Sequence, residues 1–408
     1  LRRRNTLIPN ADEILAMKGG TATKAVVKGK YMGAIVVNPK PGVHMKVFVL
    51  DFSSLYPSAI KRWNLSYETV RCPHPECRGN LIPGVPHWVC TKRRGVISLL
   101  IGSLRDLRVR WYKPKSKDER LPEDVRSWYS VIQSSLKVIL NASYGVFGTE
   151  IFDLYCPPMA ESTAAIGRDA ITKTIKKSGD LGIEVVYGDT DSVFLKNPTR
   201  EQVEELMKWS EEELGMDLDV DKVYRYVVFS TRKKNYLGVL EDGSVDIKGL
   251  SGKKKHMPLF IRKAFLEVVR ELSKVTSPEE FEDAKKRIQA IIKDCYLRLK
   301  RREFTLEELA FHVTLGKDIK SYTKTTPQHV KAAEQLRKHN IEVKAGDLIS
   351  FVKVVKPPYV KPLQLATKDD VDVDKYVGYL ESTFSQILDA IGLDFEEILG
   401  VTKLEYFM

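Results

Sequence analysis

The stretch "VVYGDTDSVFL" at 185–195 sets Asp189 and Asp191 two residues apart, where one apolar run gives way to another. A turn is an ordinary place for Asp, because its carboxylate bonds nearby backbone and it tolerates tight dihedrals. A third acid widens the possibilities. Asp51 stands at the end of another apolar run, "KVFVLDF" at 46–52. If the three runs are neighbouring strands, Asp51, Asp189 and Asp191 converge on one edge of a sheet. Converging carboxylates raise one another's pKa and destabilise the fold unless a cation neutralises them. A hard divalent ion takes carboxylate and carbonyl oxygens with water filling the rest, so Mg²⁺ is the expected ion. Two such ions about 4 Å apart can activate one oxygen and stabilise another during in-line displacement at phosphorus.

A second pattern could face a phosphate. Gln133, Lys137 and Asn141 recur at intervals of four, with Tyr144 about one turn further on, so on a helix they share a face. Leu136, Val138, Ile139 and Leu140 are then expected on the buried side. A lysine aimed at a triphosphate neutralises charge that builds on departing pyrophosphate and can donate a proton to it. A solvated helix side is the plain alternative. The chain has no Walker-type glycine loop, which argues against the ATPase mode of phosphate binding.

The elements that must hold these residues can be read coarsely. Strands are expected at 46–52, 183–187 and 192–195, and helices at 96–112, 122–147 and about 159–178. The charged turn "KPKSKDERLPED" separates the first two helices, making a helical hairpin inserted into a sheet domain. Beyond about residue 250 the pattern turns mostly helical, with apolar residues at helical spacing near 258–273, 278–302 and 374–391. An α+β fold follows, a small antiparallel sheet backed by helices.

The 408 residues are too many for one core, so two or three domains are expected. Lys and Arg number 66 against 54 acids, and the resulting charge of +12 suits a polyanionic partner, nucleic acid ahead of a membrane surface. Basic residues cluster at 2–4, 92–94, 232–234, 253–255 and 300–302, where solvated faces are the alternative. No run approaches the roughly 18 to 20 apolar residues that cross a bilayer, and the amino end lacks a signal-peptide layout. A soluble intracellular protein is expected. Sparse Asn and Gln beside 29% charged residues fit a heat-adapted source. The chain opens on Leu1 and reads at once as structured sequence, which suggests a piece of something longer.

"DFSSLYPS" at 51–58, "QSSLKVILNASYG" at 133–145 and "YGDTDS" at 187–192, in that order, resemble the three polymerase signatures of family B DNA polymerases, with archaeal members the most similar. The resemblance extends from the first residues to about 395. It implies a right-hand polymerase: an antiparallel-sheet palm from 1–95 and 149–250, helical-hairpin fingers at 96–148, and a mostly helical thumb at 251–408. It also implies template-directed DNA synthesis from dNTPs on a primer–template, using two Mg²⁺ ions. Asp51, Asp191 and the Phe52 carbonyl would be the metal ligands, with Asp189 in a supporting role.

Further roles follow from the same resemblance. The backbone of Phe52, Ser53, Ser54, Leu55 and Tyr56 would meet the β and γ phosphates, where backbone amides can form an anion nest. Arg108 would grip the triphosphate with Lys137, and Asn141 would stand on the same helix face. Arg105 is one turn away and open to confusion with Arg108. Tyr56 would lie under the incoming sugar and exclude a 2′-OH by volume; an aromatic core residue is the alternative. Tyr144 and Gly145 would border the nascent pair. Ala142 stands where the family usually has Ser, so a hydroxyl contact is lost there.

For DNA, the resemblance implies contacts from Thr190, from Lys233, Lys234 and Tyr236 in "RKKNY", and from Lys248 and Gly249. Lysines give sequence-blind phosphate contacts, as copying any template requires. The family's Arg-Arg-Asp is replaced after Gly249 by "KKKH", and "GKDIKSYTKTTPQHVKAA" at 316–333 is similar to a duplex-tracking thumb segment. The five cysteines include "CPHPEC" at 72–77 and Cys90, with His74 and His87 nearby. Resemblance to heat-adapted archaeal relatives favours a Cys77–Cys90 disulfide over free thiols, and both over zinc, whose ligand spacing here matches no common ribbon. The tail "VTKLEYFM" has Leu404, Phe407 and Met408 at a spacing similar to a sliding-clamp peptide but without its leading Gln, so helix-end packing is the stronger alternative. The expected whole is a monomeric catalytic core in a prokaryotic, nucleoid-associated cytoplasm, without the proofreading exonuclease that family members place before the region matching Leu1. Rival expectations are a catalytically dead DNA-binding scaffold and a palm enzyme that makes RNA or copies it. Intact Asp51, Lys137, Asp189 and Asp191 speak against the first, and Tyr56 against the second.

Overall fold

The computed structural model describes residues 9–22, 33–323 and 325–400. The basic cluster at 2–4, Lys324 of the thumb-like segment and the tail at 401–408 therefore lie outside the described residues. Helices and antiparallel strands are gathered into two compact units, the first running as far as Val37 and over Phe48–Lys222, the second taking Asn38–Val47 and the chain from Val223 onward.

The first unit holds α1 (Ala11–Lys18), β1 (Val36–Val37), most of the sequence from β2 (Gly42–Phe52) onward through α2 (Leu55–Arg62), α3 (Val96–Asp106), α4 (Lys113–Lys115), α5 (Glu123–Phe147), α6 (Pro157–Asp180), β3 (Glu184–Asp189), β4 (Ser192–Lys196) and α7 (Arg200–Trp209), and it ends within β5 (Leu218–Phe229). Its strands lie in the order β1-β3-β4-β2-β5, with β3 and β4 an antiparallel hairpin that closes where Asp189 faces Ser192. The expected strands and helices thus appear near their predicted places. Between α3 and α4 the helix widens into a π turn over Leu107–Tyr112, a feature that re-aims side chains and is often functional. Helix α6 opens on two prolines, whose fixed φ suits a first turn, and Met159 through Gly167 are all buried. Small residues such as Ala160, Ala164 and Gly167 let neighbours approach it closely. Leu50, Phe52, Ile60, Met159, Ile166 and Val193 share the core.

In the second unit β5 continues into β6 (Tyr236–Leu240) and β7 (Val245–Lys248), paired antiparallel in that order. Then come α8 (Leu259–Lys274), α9 (Glu280–Lys300), α10 (Leu306–Leu309), β8 (Phe311–Thr314), α11 (Gln328–Lys338), β9 (Leu348–Lys353), β10 (Val360–Pro362), α12 (Val373–Leu388) and α13 (Phe395–Leu399). Strands β10, β9 and β8 form a separate antiparallel sheet. They are three to six residues long, too short for alternation to stand out in the sequence, which is why only the helices of this region were expected. The two compact units divide between Lys222 and Val223. Tyr226, Val228, Leu237 and Val239 from β5 and β6 share one core with Phe260, Phe265 and Phe384, so these strands pack as part of the helical unit. No helix among the described residues is long and apolar enough to cross a membrane.

Candidate active site

Strand β2 ends beside the tip of the β3–β4 hairpin. The Phe52 amide donates to the Asp191 carbonyl over 2.8 Å, and the Ser53 amide donates to the Asp217 carbonyl over 2.9 Å. Asp51 and Asp191 are therefore held next to one another by backbone that is itself part of the sheet. The tip is a tight turn: Thr190 has φ 58°, its amide donates to the Ile35 carbonyl at 3.1 Å, and its hydroxyl donates to Asp189 at 3.1 Å. Asp189 stands opposite Val36 on the β1 side.

This convergence has an electrostatic consequence. The Asp51 carboxyl is pushed up to about 7, first by burial and then by the charges of Asp191 and Asp221, with Lys137 and Lys113 pulling the other way. Asp221 was not expected from the sequence. It sits in "DLDVDK" at 217–222, and only the adjacency of β5 to β2 brings it near Asp51. The neighbouring Asp219 plays a different part, accepting from Ser53 Oγ at 2.6 Å and from Lys113 Nζ at 2.9 Å. These bonds hold its carboxyl below the usual range against the pull of burial. Asp51, Asp219 and Asp221 line a cleft of about 570 Å³ together with Arg110, Lys113 and Lys117. Carboxylates, with neither sulfur nor imidazole among them, make a donor set that fits a hard divalent ion, and the repulsion of Asp191 and Asp221 on Asp51, only partly offset by Lys137 and Lys113, is what such an ion would remove.

Cationic groups stand on the helices facing this edge. Arg108 lies in the π turn, is 6% exposed, and donates to Ser54 Oγ at 2.8 Å and to the Gln133 carbonyl at 3.3 Å. Arg105, one turn earlier, is engaged elsewhere: it donates to Ser58 Oγ at 3.0 Å and pairs with Asp106 and Asp217. Lys113, which the sequence did not single out, bonds Ser53 Oγ at 3.2 Å as well as Asp219. Gln133, Lys137, Asn141 and Tyr144 all lie on α5, with Lys137 and Asn141 exposed. The buried side of α5 differs from expectation. Leu140, Ser143 and Phe147 are its buried residues, whereas Val138 and Ile139 are 69% and 53% exposed, because a helix that packs along one narrow stripe leaves the flanks of that stripe open.

Two of the five backbone amides expected to meet phosphate are already used, Phe52 on Asp191 and Ser53 on Asp217. Ser54, at φ 61°, turns the chain into α2, so that Leu55 and Tyr56 begin the helix at its anion-favouring end. Leu55 is buried at 3% exposure. The Tyr56 ring stacks on Tyr144, centroids 4.4 Å apart and planes 20° apart. A Cβ on Gly167 would lie 3.0 Å from Tyr56 Cε1, so the glycine in α6 is what lets the ring lie flat against that helix.

The residues expected to touch DNA beyond Thr190 belong to the second unit. Lys233 and Lys234 precede β6, Tyr236 pairs with Lys248 across β6 and β7, and Gly249 follows at φ 69°. A Cβ there would meet the Lys234 carbonyl at 2.1 Å, so glycine is required for these two segments to touch. The cysteines depart from expectation. Cys77 and Cys90 are not joined, and both are free thiols like Cys72, Cys156 and Cys295. Three of them gather with His74, so neither sulfur faces the other exclusively. His87 is not part of that group, being bonded to Glu161 at 2.6 Å and to Arg71 at 3.1 Å.

The family model for DNA polymerase family B matches residues 1–391. The chain is 48% identical to DNA polymerase 1 of Sulfurisphaera ohwakuensis over 396 residues, covering 96% of this chain and 45% of that one. It is 46% identical to DNA polymerase 1 of Sulfolobus acidocaldarius over 410 residues, covering 100% of this chain and 47% of that one. A solved family B DNA polymerase from the hyperthermophilic archaeon Pyrobaculum calidifontis superposes with a TM-score of 0.70 at 31% identity, over 94% of this chain and 50% of that one. The chain thus spans just under half the length of the curated relatives it matches.

Proposed function

The chain belongs to DNA polymerase family B, and from that footing we propose that it is the polymerising region of a template-directed DNA polymerase, extending a primer 3′-hydroxyl with dNTPs. The observation that carries the proposal is Asp51 and Asp191 held side by side by the Phe52 to Asp191 backbone bond, with Asp51 lining a cleft that also holds cationic groups. Residues 1–95 and 149–250 serve as palm, 96–148 as fingers and 251–408 as thumb.

Asp51, Asp191 and the Phe52 carbonyl would hold two Mg²⁺ ions, with Asp189 in support and Asp221 as a nearby negative charge. When bound, these ions supply acidity to the primer hydroxyl and counter-charge to the triphosphate. The remaining work falls to the chain. Arg108 and Lys137 neutralise the phosphates from the helical hairpin, and Lys137 supplies a proton donor for the departing pyrophosphate. The Leu55 and Tyr56 end of α2 offers a positive helix terminus to the same group. The Tyr56 ring, backed by Tyr144 and by α6, occupies the volume a ribose 2′-OH would need, so selection works by exclusion. Lys233, Lys234, Tyr236, Lys248 and Gly249 grip the duplex backbone without regard to sequence.

A primer-extension assay on a defined template with Mg²⁺ tests this. Template-dependent extension with dNTPs and little with NTPs is the expected result. Duplex binding without extension would replace the proposal with a DNA-binding scaffold, and efficient extension with NTPs would replace it with an RNA-making enzyme.

A further inference from the structure

Residues 63–95 connect α2 to α3 with almost no regular structure, yet three of their sulfurs and one imidazole meet at a point. The ligand atoms of Cys72, His74, Cys77 and Cys90 all lie within 4.8 Å of one another. Cys72, Cys77 and Cys90 are exposed by no more than 2%. His74 Nδ1 points into the group, 3.4 Å from Cys90 Sγ. We propose that these four side chains are a structural zinc site of the Cys₃His type, which fastens the α2–α3 connection in the first unit.

The size of the cluster selects the ion. Zinc holds thiolate sulfur at about 2.3 Å and imidazole nitrogen at about 2.0 to 2.1 Å in a tetrahedron, so its ligand atoms are spaced by roughly 3.5 to 3.8 Å. The observed Cys90–His74 separation of 3.4 Å is close to that edge. A four-iron cluster would need its thiolates held further apart around an inorganic core, and a disulfide would bond two sulfurs while leaving the third sulfur and the imidazole without a role. Three thiolates and one imidazole form a closed set for a borderline-soft ion with no ligand position left for water.

The surroundings suit a bound thiolate. The Thr91 amide and hydroxyl lie 3.5 and 3.4 Å from Cys77 Sγ, and Trp88 Nε1 donates to the Cys72 carbonyl at 2.9 Å, fixing the backbone beside the first ligand. Such outer contacts orient ligands and are part of a site. Isolated bridges between Val70 and Val89 and between Leu81 and Trp88 fold the segment back so that Cys90 returns to Cys72 and Cys77. On binding, each thiol gives up its proton to solvent and its sulfur bonds the ion, so three protons are released per Zn²⁺.

The test uses the whole chain purified without chelator. Elemental analysis should find about one zinc per chain and negligible iron. Changing Cys77 or Cys90 to Ser should remove most of that zinc, while Cys156→Ser and Cys295→Ser should retain it. Because the ligand variants can fail to fold, the wild-type protein exchanged with Co²⁺ gives a second readout, the intense visible bands and near-ultraviolet thiolate charge transfer of a tetrahedral ion. Metal-free protein with a Cys77–Cys90-linked peptide in a non-reducing digest, iron accompanied by inorganic sulfide, or Co²⁺ bound with only weak octahedral absorption would each overturn the assignment.

Discussion

The amide of Phe52 and the carbonyl of Asp191 are joined at 2.8 Å, so the end of β2 and the tip of the β3–β4 hairpin share a hydrogen bond one residue away from Asp51. Two carboxylates that would repel each other as mobile side chains are thereby fixed as neighbours by the sheet itself. Burial first, and then the charges of Asp191 and Asp221, push the Asp51 carboxyl up to about 7.

A carboxyl raised in the folded state binds its proton more tightly there than in the unfolded chain. Its contribution to stability is therefore lost as pH climbs from about 4 through 7. In chelator, the thermal midpoint should fall over that window, and Asp51→Asn should flatten the slope, gaining on the order of 2 kcal/mol at pH 8. Added Mg²⁺ should stabilise the native protein more at pH 8 than at pH 6 and leave the Asn variant nearly unmoved. Differential scanning fluorimetry at several pH values checks this, and an identical pH slope in the two proteins would contradict it.

The stacked Tyr56 and Tyr144 rings, 4.4 Å apart, lead to a prediction about sugar selection. Tyr56→Ala should raise ribonucleotide incorporation by at least about tenfold, equivalent to ~1.4 kcal/mol of lost discrimination. Gly167→Ala pushes a methyl against Tyr56 Cε1, so it should shift the same ratio less and also destabilise the fold by about 1 to 2 kcal/mol. Single-nucleotide incorporation with dNTP and NTP measures both, and unaltered ratios would remove Tyr56 from the sugar site.

Arg105 and Arg108 are separated by what they touch. Arg105 is bound to Ser58, Asp106 and Asp217, so Arg105→Ala should lower stability by about 2 kcal/mol. Arg108 reaches Ser54 at the start of α2, so Arg108→Ala should keep the fold and raise KM for dNTP by about tenfold to a hundredfold, as loss of ~1.4 to 2.7 kcal/mol of phosphate binding would. Steady-state kinetics beside thermal melts would expose a swapped assignment.

Much of this was legible in the chain because local pattern and chemistry coincided. The hairpin carrying Asp189 and Asp191 follows from two apolar runs and a turn, and the α3–α5 hairpin from helical spacing about a charged loop. What remained hidden depends on contacts distant in sequence. Asp221 and Lys113 reach the site only because β5 lies beside β2 and because the π turn of Leu107–Tyr112 carries α4 toward it. Cys90 joins Cys72 and Cys77 through isolated bridges too brief to leave a periodic signal. Val138 and Ile139 misled in the opposite sense, since an apolar residue at helical spacing gives no sign that its side of the helix has been left uncovered.

The paired acids are tested most directly by Asp191→Asn, assayed for primer extension with Mg²⁺ and for duplex binding in parallel. Extension should fall by about a thousandfold or more, ~4 kcal/mol of lost transition-state stabilisation, while the duplex dissociation constant stays within about threefold. Substantial synthesis by the Asn variant, at unchanged duplex affinity, would contradict the account.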